Sequence, residues 1–232
     1  MEVHVSNLML EVTRRCNMCC MHCLRGEAEN LDMSKETIDH VLEQVDFIST
    51  VSFTGGEPTL NLPIIEYFFD RAKELDKMPL AFWLATNGKE HQVELASLLL
   101  KVFPEMDEPD ACGVALSSDG FHDDVKTNFL KGLVFYDDSK NRGSSMEPNW
   151  IIGEGRAREW GESELPHSKL EIEPWNWNGR EGVTVESVYV NACGQWLADC
   201  DYSYESQQHE VIGDINTLRE DLSAYCAIRP AC

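Results

Sequence analysis

Basic residues are scarce in this sequence, and long apolar runs are absent. The 232 residues include 19 Lys and Arg against 41 Asp and Glu, which gives a formal net charge of −22. Because nucleic acids are held mainly by Lys and Arg, this balance argues against nucleic-acid partners, tRNA included. No apolar stretch approaches the roughly 18 residues that a membrane helix needs, and no apolar signal segment opens the sequence. We therefore expect a cytoplasmic protein with no membrane partner.

Of the nine cysteines, all but Cys112 are clustered toward the two ends of the chain. Their odd number and uneven placement are typical of a reduced protein that uses thiols for metal, rather than of a secreted disulfide scaffold. Three of them, Cys16, Cys20 and Cys23, have the spacing C-x3-C-x2-C directly after the apolar residues 8–13. This spacing puts three thiolates on one tight loop. Cys19 leaves a second grouping open, with Cys16 and Cys23.

Three sulfur ligands on one loop suit an iron-sulfur cluster or zinc. A structural zinc ion normally has four protein ligands, whereas a four-iron cluster can leave one iron open for a substrate or cofactor. The spacing alone does not decide between these two interpretations.

Strand-like and helix-like segments alternate over the first 120 residues. The predicted strands are residues 8–13, 50–54, 80–85 and 113–116. The predicted helices are residues 34–46, with Ser34 as N-cap, 62–75 and 90–103. Strands separated by helices form right-handed parallel βαβ units, so we expect an α/β sheet or barrel. In such folds the loops after the strands build the active site, and the cysteine loop is one of them.

The pattern is weaker after residue 120. Residues 129–136 fit a helix or a strand, 150–152 fit a short fifth strand, and 162–178 show no periodicity and are predicted to be irregular. Residues 183–189 and 195–204 flank Cys193 and Gly194 and predict a β-hairpin. A closing helix is predicted over residues 216–225.

The cysteine loop resembles that of the radical S-adenosylmethionine (SAM) enzymes, with His22 where that family usually has an aromatic or His residue. Residues 51–58, which end in Gly-Gly-Glu-Pro, resemble the family's second motif at the usual separation, and residues 84–88 and 114–120 match further motifs. The resemblance covers residues 8 to about 160. It implies a partial (βα)6-type TIM barrel in residues 1–160. Residues 161–232 would then form a barrel-closing segment and a small β-hairpin plus helix extension.

The resemblance also implies cofactor sites. Cys16, Cys20 and Cys23 would hold a [4Fe-4S] cluster whose open iron binds SAM. The residues expected to contact SAM are Gly55, Gly56, Glu57, Pro58, Asn87, Ser117, Asp119 and Lys126. Glu57 and nearby backbone carbonyls would accept from the SAM ammonium group. Lys126 stands where the family has an Arg that pairs with the SAM carboxylate, so it keeps the charge and loses the bidentate geometry.

Plainer interpretations exist for these motifs. The cysteines could form a structural zinc loop, the glycines an ordinary turn, and Asn87 a turn residue before Gly88. Residues 153–158 resemble a Gly-Arg-Ala segment of the family. We expect them either to touch adenosine or an anionic substrate, or to form an ordinary loop.

The carboxyl-terminal cysteines are Cys193, Cys200, Cys226 and Cys232. They are enough for a second iron-sulfur cluster, as in truncated SPASM- or twitch-like extensions of this family. Zinc, unpaired core cysteines and disulfides formed in air are the alternatives. Such an extension would favour a peptide or protein substrate.

The implied function is reductive cleavage of SAM to a 5′-deoxyadenosyl radical that abstracts hydrogen from a substrate. The substrate predicted here is a peptide or protein. A small molecule such as a nucleoside or sugar, and a glycyl-radical activase role, are alternatives. The sequence does not indicate which residue would act as a catalytic acid or base. A non-catalytic iron-sulfur or zinc-binding module is the alternative from another class.

Reductive cleavage requires an electron donor, such as flavodoxin or ferredoxin. Arg14, Arg15 and Arg25 flank the cysteine loop on an otherwise acidic chain. They predict a basic docking rim for an acidic donor.

Overall fold

The computed structural model describes residues 1–138, 151–159 and 169–228. In this part of the chain one sheet contains β1 (Glu2–Thr13), β2 (Phe47–Gly55), β3 (Ala81–Thr86), β4 (Gly113–Leu116), β5 (Ile172–Trp177), β6 (Arg180–Val190), β7 (Gln195–Leu197) and β8 (Gly213–Asp214). The helices are α1 (Lys35–Gln44), α2 (Leu62–Glu74), α3 (Gln92–Val102), α4 (Tyr204–Glu210) and α5 (Leu218–Ile228).

The first four strands are parallel to one another. They pair in chain order, and α1, α2 and α3 connect them. Helix α1 begins as predicted, because the Ser34 side chain accepts from the N–H of Thr37. Apolar residues of the three helices are buried in one core with those of the strands, and this core includes Ile38, Ile65 and Leu8. The α/β prediction is therefore confirmed, with a mainly parallel sheet in keeping with a partial barrel.

Strand β6 has a place that the sequence pattern did not predict. It is parallel to β1, with Glu2 opposite Gly182, so that β1 lies between β2 and β6. The full order is β4-β3-β2-β1-β6-β7-β8, and β5 pairs antiparallel with β6. The predicted hairpin around Cys193 and Gly194 is confirmed by the antiparallel pairing of β6 and β7. The carboxyl-terminal part of the chain is therefore hydrogen-bonded into the sheet beside β1.

The prediction of irregular structure over residues 162–178 is wrong for β5. This strand lacks polar and apolar alternation and contains Pro174, but pairing with β6 supplies its hydrogen bonds. Asn178 and Gly179, both with positive φ, make the tight turn between the two strands. The predicted closing helix is present as α5.

Two other predicted segments have mixed outcomes. Residues 129–136 contain a short 3-10 turn at Leu130–Gly132 and one bridge from Tyr136 to Val114, so they form neither a full helix nor a full strand. The fifth-strand prediction over residues 150–152 lies partly outside the described residues. Among the residues that the structure describes, no helix is long and apolar enough to cross a membrane.

Candidate cofactor site

A cavity of about 210 Å³ lies at the carboxyl ends of the parallel strands. It brings together most of the residues that the sequence singled out. Its lining includes Cys16, Cys20, His22, Cys23, Gly55, Gly56, Glu57, Pro58, Asn87, Ser117 and His122. These residues come from the loops after β1, β2, β3 and β4, which is where ligand sites form in parallel α/β folds.

The structure separates the two possible cysteine groupings. Cys16, Cys20 and Cys23 line the cavity, whereas Cys19 is exposed and lies outside its lining. Burial, with smaller contributions from the Cys16 and Cys23 thiols, raises the pKa of the Cys20 thiol to about 11. The three thiols line the same cavity, and a metal centre bound there would keep them deprotonated. The geometry favours the grouping without Cys19.

Gly55 and Gly56 are required by the contact between the β2 turn and the base of the cysteine loop. A Cβ on Gly55 would lie 2.1 Å from the Thr13 carbonyl oxygen, and one on Gly56 would lie 2.3 Å from the Arg15 carbonyl oxygen. The N–H of Gly56 donates to the Thr13 carbonyl over 2.8 Å. The glycines thus allow the two backbones to touch, and they line the cavity as a consequence.

Glu57 is buried, and its carboxylate is already in use. Oε1 accepts from the N–H and hydroxyl of Thr59 and from the hydroxyl of Thr86, the last at 2.6 Å. Oε2 accepts from the N–H of Asn87 at 2.8 Å. Four hydrogen bonds approach the capacity of a carboxylate. Glu57 therefore ties the β2 turn to the end of β3.

Asn87 connects the cavity to the cysteine loop. Its Nδ2 donates to Asn17 Oδ1 over 2.9 Å and lies 4.0 Å from Cys16 Sγ. The Nδ2 of Asn17 is buried and has no hydrogen-bond partner among the described residues. Asn17 follows Cys16 in the chain, and a buried donor left open in the cysteine loop fits a group supplied from outside the chain. With no fourth cysteine among the described residues lining the cavity, the donor set fits a four-iron cluster with one open iron.

Asp119 lies beside the cavity and contacts two of its histidines. Asp119 Oδ1 is 2.7 Å from His122 Nδ1, and Oδ2 is 3.9 Å from His22 Nε2. Burial would raise the pKa of Asp119, but hydrogen bonds from His122 and the Phe121 N–H outweigh it and the pKa is lowered. The ligand atoms of the three side chains lie within 4.8 Å of one another, a set that could hold a divalent cation. Lys126 is exposed and lies outside the cavity lining.

Comparison with known families identifies the family to which this chain belongs. The family model of the radical SAM superfamily matches residues 10–142, more than half of the chain. The chain belongs to the radical SAM superfamily. It is therefore an enzyme, and membership implies a [4Fe-4S] cluster and SAM as its cofactors.

Relatives of this radical SAM enzyme match only parts of it. The uncharacterized protein MJ0907 of Methanocaldococcus jannaschii is 40% identical over 70 residues, which are 28% of this chain and 24% of that protein. A solved structure of histidine-tagged anSMEcpe with bound AdoMet has a TM-score of 0.39 and 22% identity, covering 51% of this chain and 33% of that one. Streptococcus suis SuiB bound to precursor peptide SuiA has a TM-score of 0.36 and 17% identity, covering 50% and 25%. The matched part of this chain thus spans about a quarter to a third of the length of each of these three proteins.

In this radical SAM enzyme the Gly-Arg-Ala segment, residues 155–157, packs against the cysteine loop and donates hydrogen bonds to it. The N–H of Arg156 donates to the Cys23 carbonyl over 3.0 Å, and its guanidinium donates to the Cys20 carbonyl. Gly155 has a φ of +55°, and a Cβ there would lie 2.4 Å from the Leu24 carbonyl oxygen. The Gly-Arg-Ala segment therefore holds the backbone of the loop. The sequence motif of this segment was recognised, but its contact with the cysteine loop was not predicted.

The predicted basic docking rim is wrong. Arg14 is 5% and Arg25 is 8% exposed, so neither presents its charge to an electron donor. Arg14 donates to Glu11 over 2.7 Å and to Gln207 over 2.8 Å. Arg25 donates to backbone carbonyls in the segment after β7. Arg15 is half-buried and paired with an acidic neighbour. The arginines support the loop from inside the protein.

The carboxyl-terminal cysteines lie apart. Cys193 follows the end of β6 that lies beside the carboxyl half of β1. Cys226 lies on α5, which contacts the first residue of the chain at the opposite end of β1. Burial raises the pKa of the Cys200 thiol to about 12. Cys232 lies outside the described residues. The structure does not bring the three described cysteines together, and the second cluster stays a prediction.

Proposed function

We propose that Cys16, Cys20 and Cys23 hold a [4Fe-4S] cluster, that SAM binds its open iron, and that the enzyme abstracts hydrogen from a substrate. The observation that carries the proposal is the convergence of the three thiols with the Gly-Gly-Glu-Pro turn on one cavity. When bound, the cluster and SAM supply the reductive cleavage that yields a 5′-deoxyadenosyl radical. The residues of the chain bind, orient and shield the reacting groups.

Each residue around the cavity has a role in this proposal. Backbone groups of Gly55 and Gly56 would contact the methionine end of SAM, and Glu57, whose carboxylate already accepts four hydrogen bonds, positions that turn. Asn87 and Ser117 supply polar contacts from the ends of β3 and β4. Asp119 acts through His122, which it orients at the cavity wall. Lys126 has no part in the proposed site.

A second cavity gives the substrate a place beside SAM. It has a volume of about 470 Å³ and shares Phe53, Thr54 and Trp83 with the cofactor cavity. Its other lining residues are Asn7, Met9, Thr50, Ser52, Ala111 and Cys200. This volume is within the ordinary range for a ligand site. A substrate held there would be adjacent to the bound SAM.

The lining of the second cavity favours an uncharged substrate group. Among its described residues none carries a formal charge at neutral pH, and Asn7, Thr50, Ser52 and Thr54 offer amide or hydroxyl groups. Such groups pair well with the amides of a peptide, so we propose a peptide or protein segment as the substrate. A neutral small molecule such as a nucleoside or sugar is the second candidate, because hydroxyl and amide groups would pair with it equally. A flavodoxin or ferredoxin remains the proposed electron donor.

The cluster assignment is tested with single cysteine substitutions and a neighbouring control. Cys16→Ala, Cys20→Ala and Cys23→Ala should each lose the iron bound after anaerobic reconstitution and the SAM-dependent change in the electron paramagnetic resonance (EPR) signal. Cys19→Ala should keep both, because Cys19 lies outside the cavity. Iron and sulfide quantitation with EPR provides the measurement. A Cys19→Ala protein that loses its cluster while Cys20→Ala keeps it would overturn the assignment.

A further inference from the structure

The face of the sheet away from the helices carries a third cavity, nearer the amino end of β1. In β1, Val5 and Leu8 belong to the core that contains the helices. Their neighbours His4 and Asn7 line cavities: Asn7 lines the second cavity, and His4 lines a cavity of about 570 Å³. Because adjacent residues of a strand point to opposite faces, both cavities lie on the face away from the helices.

This third cavity, the aromatic cavity, is lined by rings from three strands. Its lining residues are Glu2, His4, Asp46, Phe47, Trp175, Trp177, Arg180 and Thr184. The centre of the His4 ring lies 5.2 Å from that of Phe47 and 4.8 Å from that of Trp175. Trp177 is 73% and Phe47 is 38% exposed. Exposed aromatic side chains gathered around one cavity are typical of a binding site.

Strand β5 presents Trp175 and Trp177 on one face, because they are two positions apart. Trp175 packs on β6, where a Cβ at Gly182 would lie 2.2 Å from its ring. Its Nε1 is buried and has no hydrogen-bond partner among the described residues. An acceptor from outside the chain, such as a peptide carbonyl, would satisfy this donor. Trp175 is thus fixed in the wall, and Trp177 leaves its ring open to a ligand.

The charges around the aromatic cavity favour a cation. The lining contains Glu2 and Asp46 against Arg180. Glu173 is exposed and lies on the same face of β5 as the two tryptophans. Arg219 donates to Asp46, so three carboxylates and two guanidinium groups leave one negative charge in excess. This excess belongs to a chain whose formal net charge is −22.

We propose that the aromatic cavity binds a Lys or Arg side chain of the peptide substrate. A cation is attracted to the face of an aromatic ring, most strongly to Trp. The described part of the chain places no Lys or Arg of its own over the rings of Phe47 or Trp177. The inference rests on the proposed peptide substrate, and it adds a recognition site remote from the cofactor.

Strand β2 sets the distance between this recognition site and the cofactor. Phe47 lines the aromatic cavity, and Thr54 lines both the second cavity and the cofactor cavity. The two residues are seven positions apart on one strand, which corresponds to roughly 23 Å. An extended peptide has a similar rise per residue. The basic residue therefore lies about seven positions along the substrate from the residue that reacts.

Peptide probes that differ in one charge test the preference for a cation. The probes are Ac-Ser-Ser-Xaa-Ser-Ser-amide, in which Xaa is Lys, Nε-acetyl-Lys or Phe. Each is titrated into the full chain labelled with fluorotryptophan, and the fluorine NMR resonance of Trp177, identified by its loss in Trp177→Phe, reports binding. The Lys probe should bind about fivefold more tightly than the acetyl-Lys probe. Added salt should reduce this difference.

Substitutions in the wall locate the binding. Trp177→Ala should weaken binding of the Lys probe about fivefold, with the Trp175 resonance as the reporter. Glu173→Gln should weaken the Lys probe about twofold and leave the acetyl-Lys probe unchanged. Val134→Ala is the matched control and should bind like the wild type. Val134 is 81% exposed but lies beside β4, at the other edge of the sheet.

A longer probe tests the connection to the second cavity. With about eight serines on each side of the Lys, it should also shift the resonance of Trp83, which lines the second cavity. The inference is overturned by equal affinities of the Lys and acetyl-Lys probes, by tighter binding of the Phe probe, by an unchanged affinity in Trp177→Ala, or by a long probe that leaves Trp83 unshifted. A wild-type protein that binds no iron would instead overturn the proposed function, and the peptide titrations do not depend on iron.

Discussion

At the carboxyl end of β1 the side chains of the Glu11–Arg14 pair are 0% and 6% exposed, whereas at its amino end those of the Asp46–Arg219 pair are 30% and 32% exposed. The buried pair joins residues from the first strand, the cysteine loop and α4, with Gln207 bonded to both partners. The half-exposed pair attaches α5 to the end of the sheet. Removing one partner of the buried pair leaves the other charge without water to solvate it, so each partner is necessary for stability. At the half-exposed pair water can solvate the remaining charge, so the loss of one partner costs less.

The largest expected effect comes from breaking the buried pair. Arg14→Met leaves the Glu11 carboxylate buried without its ion partner, and we expect it to lower the free energy of unfolding by about 3 to 5 kcal/mol. Arg219→Met, at the half-exposed pair, should cost about 1 kcal/mol or less. Urea unfolding of cluster-free protein under reducing conditions measures both.

Adding Glu11→Gln to Arg14→Met sharpens this comparison. The double variant removes the unpaired charge and should recover part of the loss. Similar losses for Arg14→Met and Arg219→Met would mean that burial does not distinguish the two ends.

A smaller effect is expected from Gly155, which packs on the cysteine loop. Gly155→Ala adds a Cβ 2.4 Å from the Leu24 carbonyl oxygen in a residue with positive φ. We expect a loss of about 2 to 3 kcal/mol in the free energy of unfolding, together with less bound iron. Gly179→Ala is the control, because Gly179 also has positive φ but a Cβ there meets nothing within 4 Å. It should cost about 1 kcal/mol and leave iron binding intact.

The Gly179→Ala control also defines the result that would contradict a specific role for the contact between Gly155 and the cysteine loop. Iron content after reconstitution and urea unfolding are measured for both glycine variants. If Gly179→Ala reduced bound iron as much as Gly155→Ala, the effect would come from backbone strain in general. The contact with the cysteine loop would then be unnecessary to explain it.

The smallest effect concerns the pH dependence of the amino end. Partial burial would raise the pKa of Asp46, but hydrogen bonds from Arg219 and the Val3 N–H outweigh it, and the pKa lies below its ordinary value of 3.8. A carboxyl with a lowered folded-state pKa contributes stability above its unfolded pKa and loses it as the pH falls through the folded value. The free energy of unfolding of the wild type should therefore exceed that of Asp46→Asn by about 1 kcal/mol near neutral pH.

That difference should shrink as the pH falls through the ordinary carboxyl range, and it should disappear only below the lowered folded-state pKa of Asp46. Urea unfolding at a series of pH values from neutral to about 3 measures it. A difference that stays constant over this series would show that packing at residue 46, rather than its charge, stabilises α5.

Local pattern was sufficient for the first half of the fold. The helices α1 to α3, the strands β2 to β4 and the second half of β1 each follow from residues close in sequence: apolar spacing, an N-cap at Ser34 and breaks at glycine or proline. The predicted first strand began at residue 8, whereas β1 begins at Glu2. Strand β5 was missed because its stability comes from pairing with β6 and not from its own alternation. The neighbour of β6 was also unpredictable, since alternating valines fit any buried strand position.

The same distinction applies to the site. The sequence by itself carried the motifs whose resemblance to the radical SAM family predicted the cysteines, glycines and polar residues of the site, and its alternation of strands and helices predicted that the loops after the strands would meet. Most of those residues line the cavity, whereas Lys126 does not. Only the tertiary structure decided that Arg14 and Arg25 are buried, that Gly155 touches the cysteine loop, and that Tyr204 lies beneath it. Those contacts join residues more than a hundred positions apart. The distant partners of Arg14 and Arg25 lie in the chain that follows β6, and no local pattern specifies that β6 pairs beside β1.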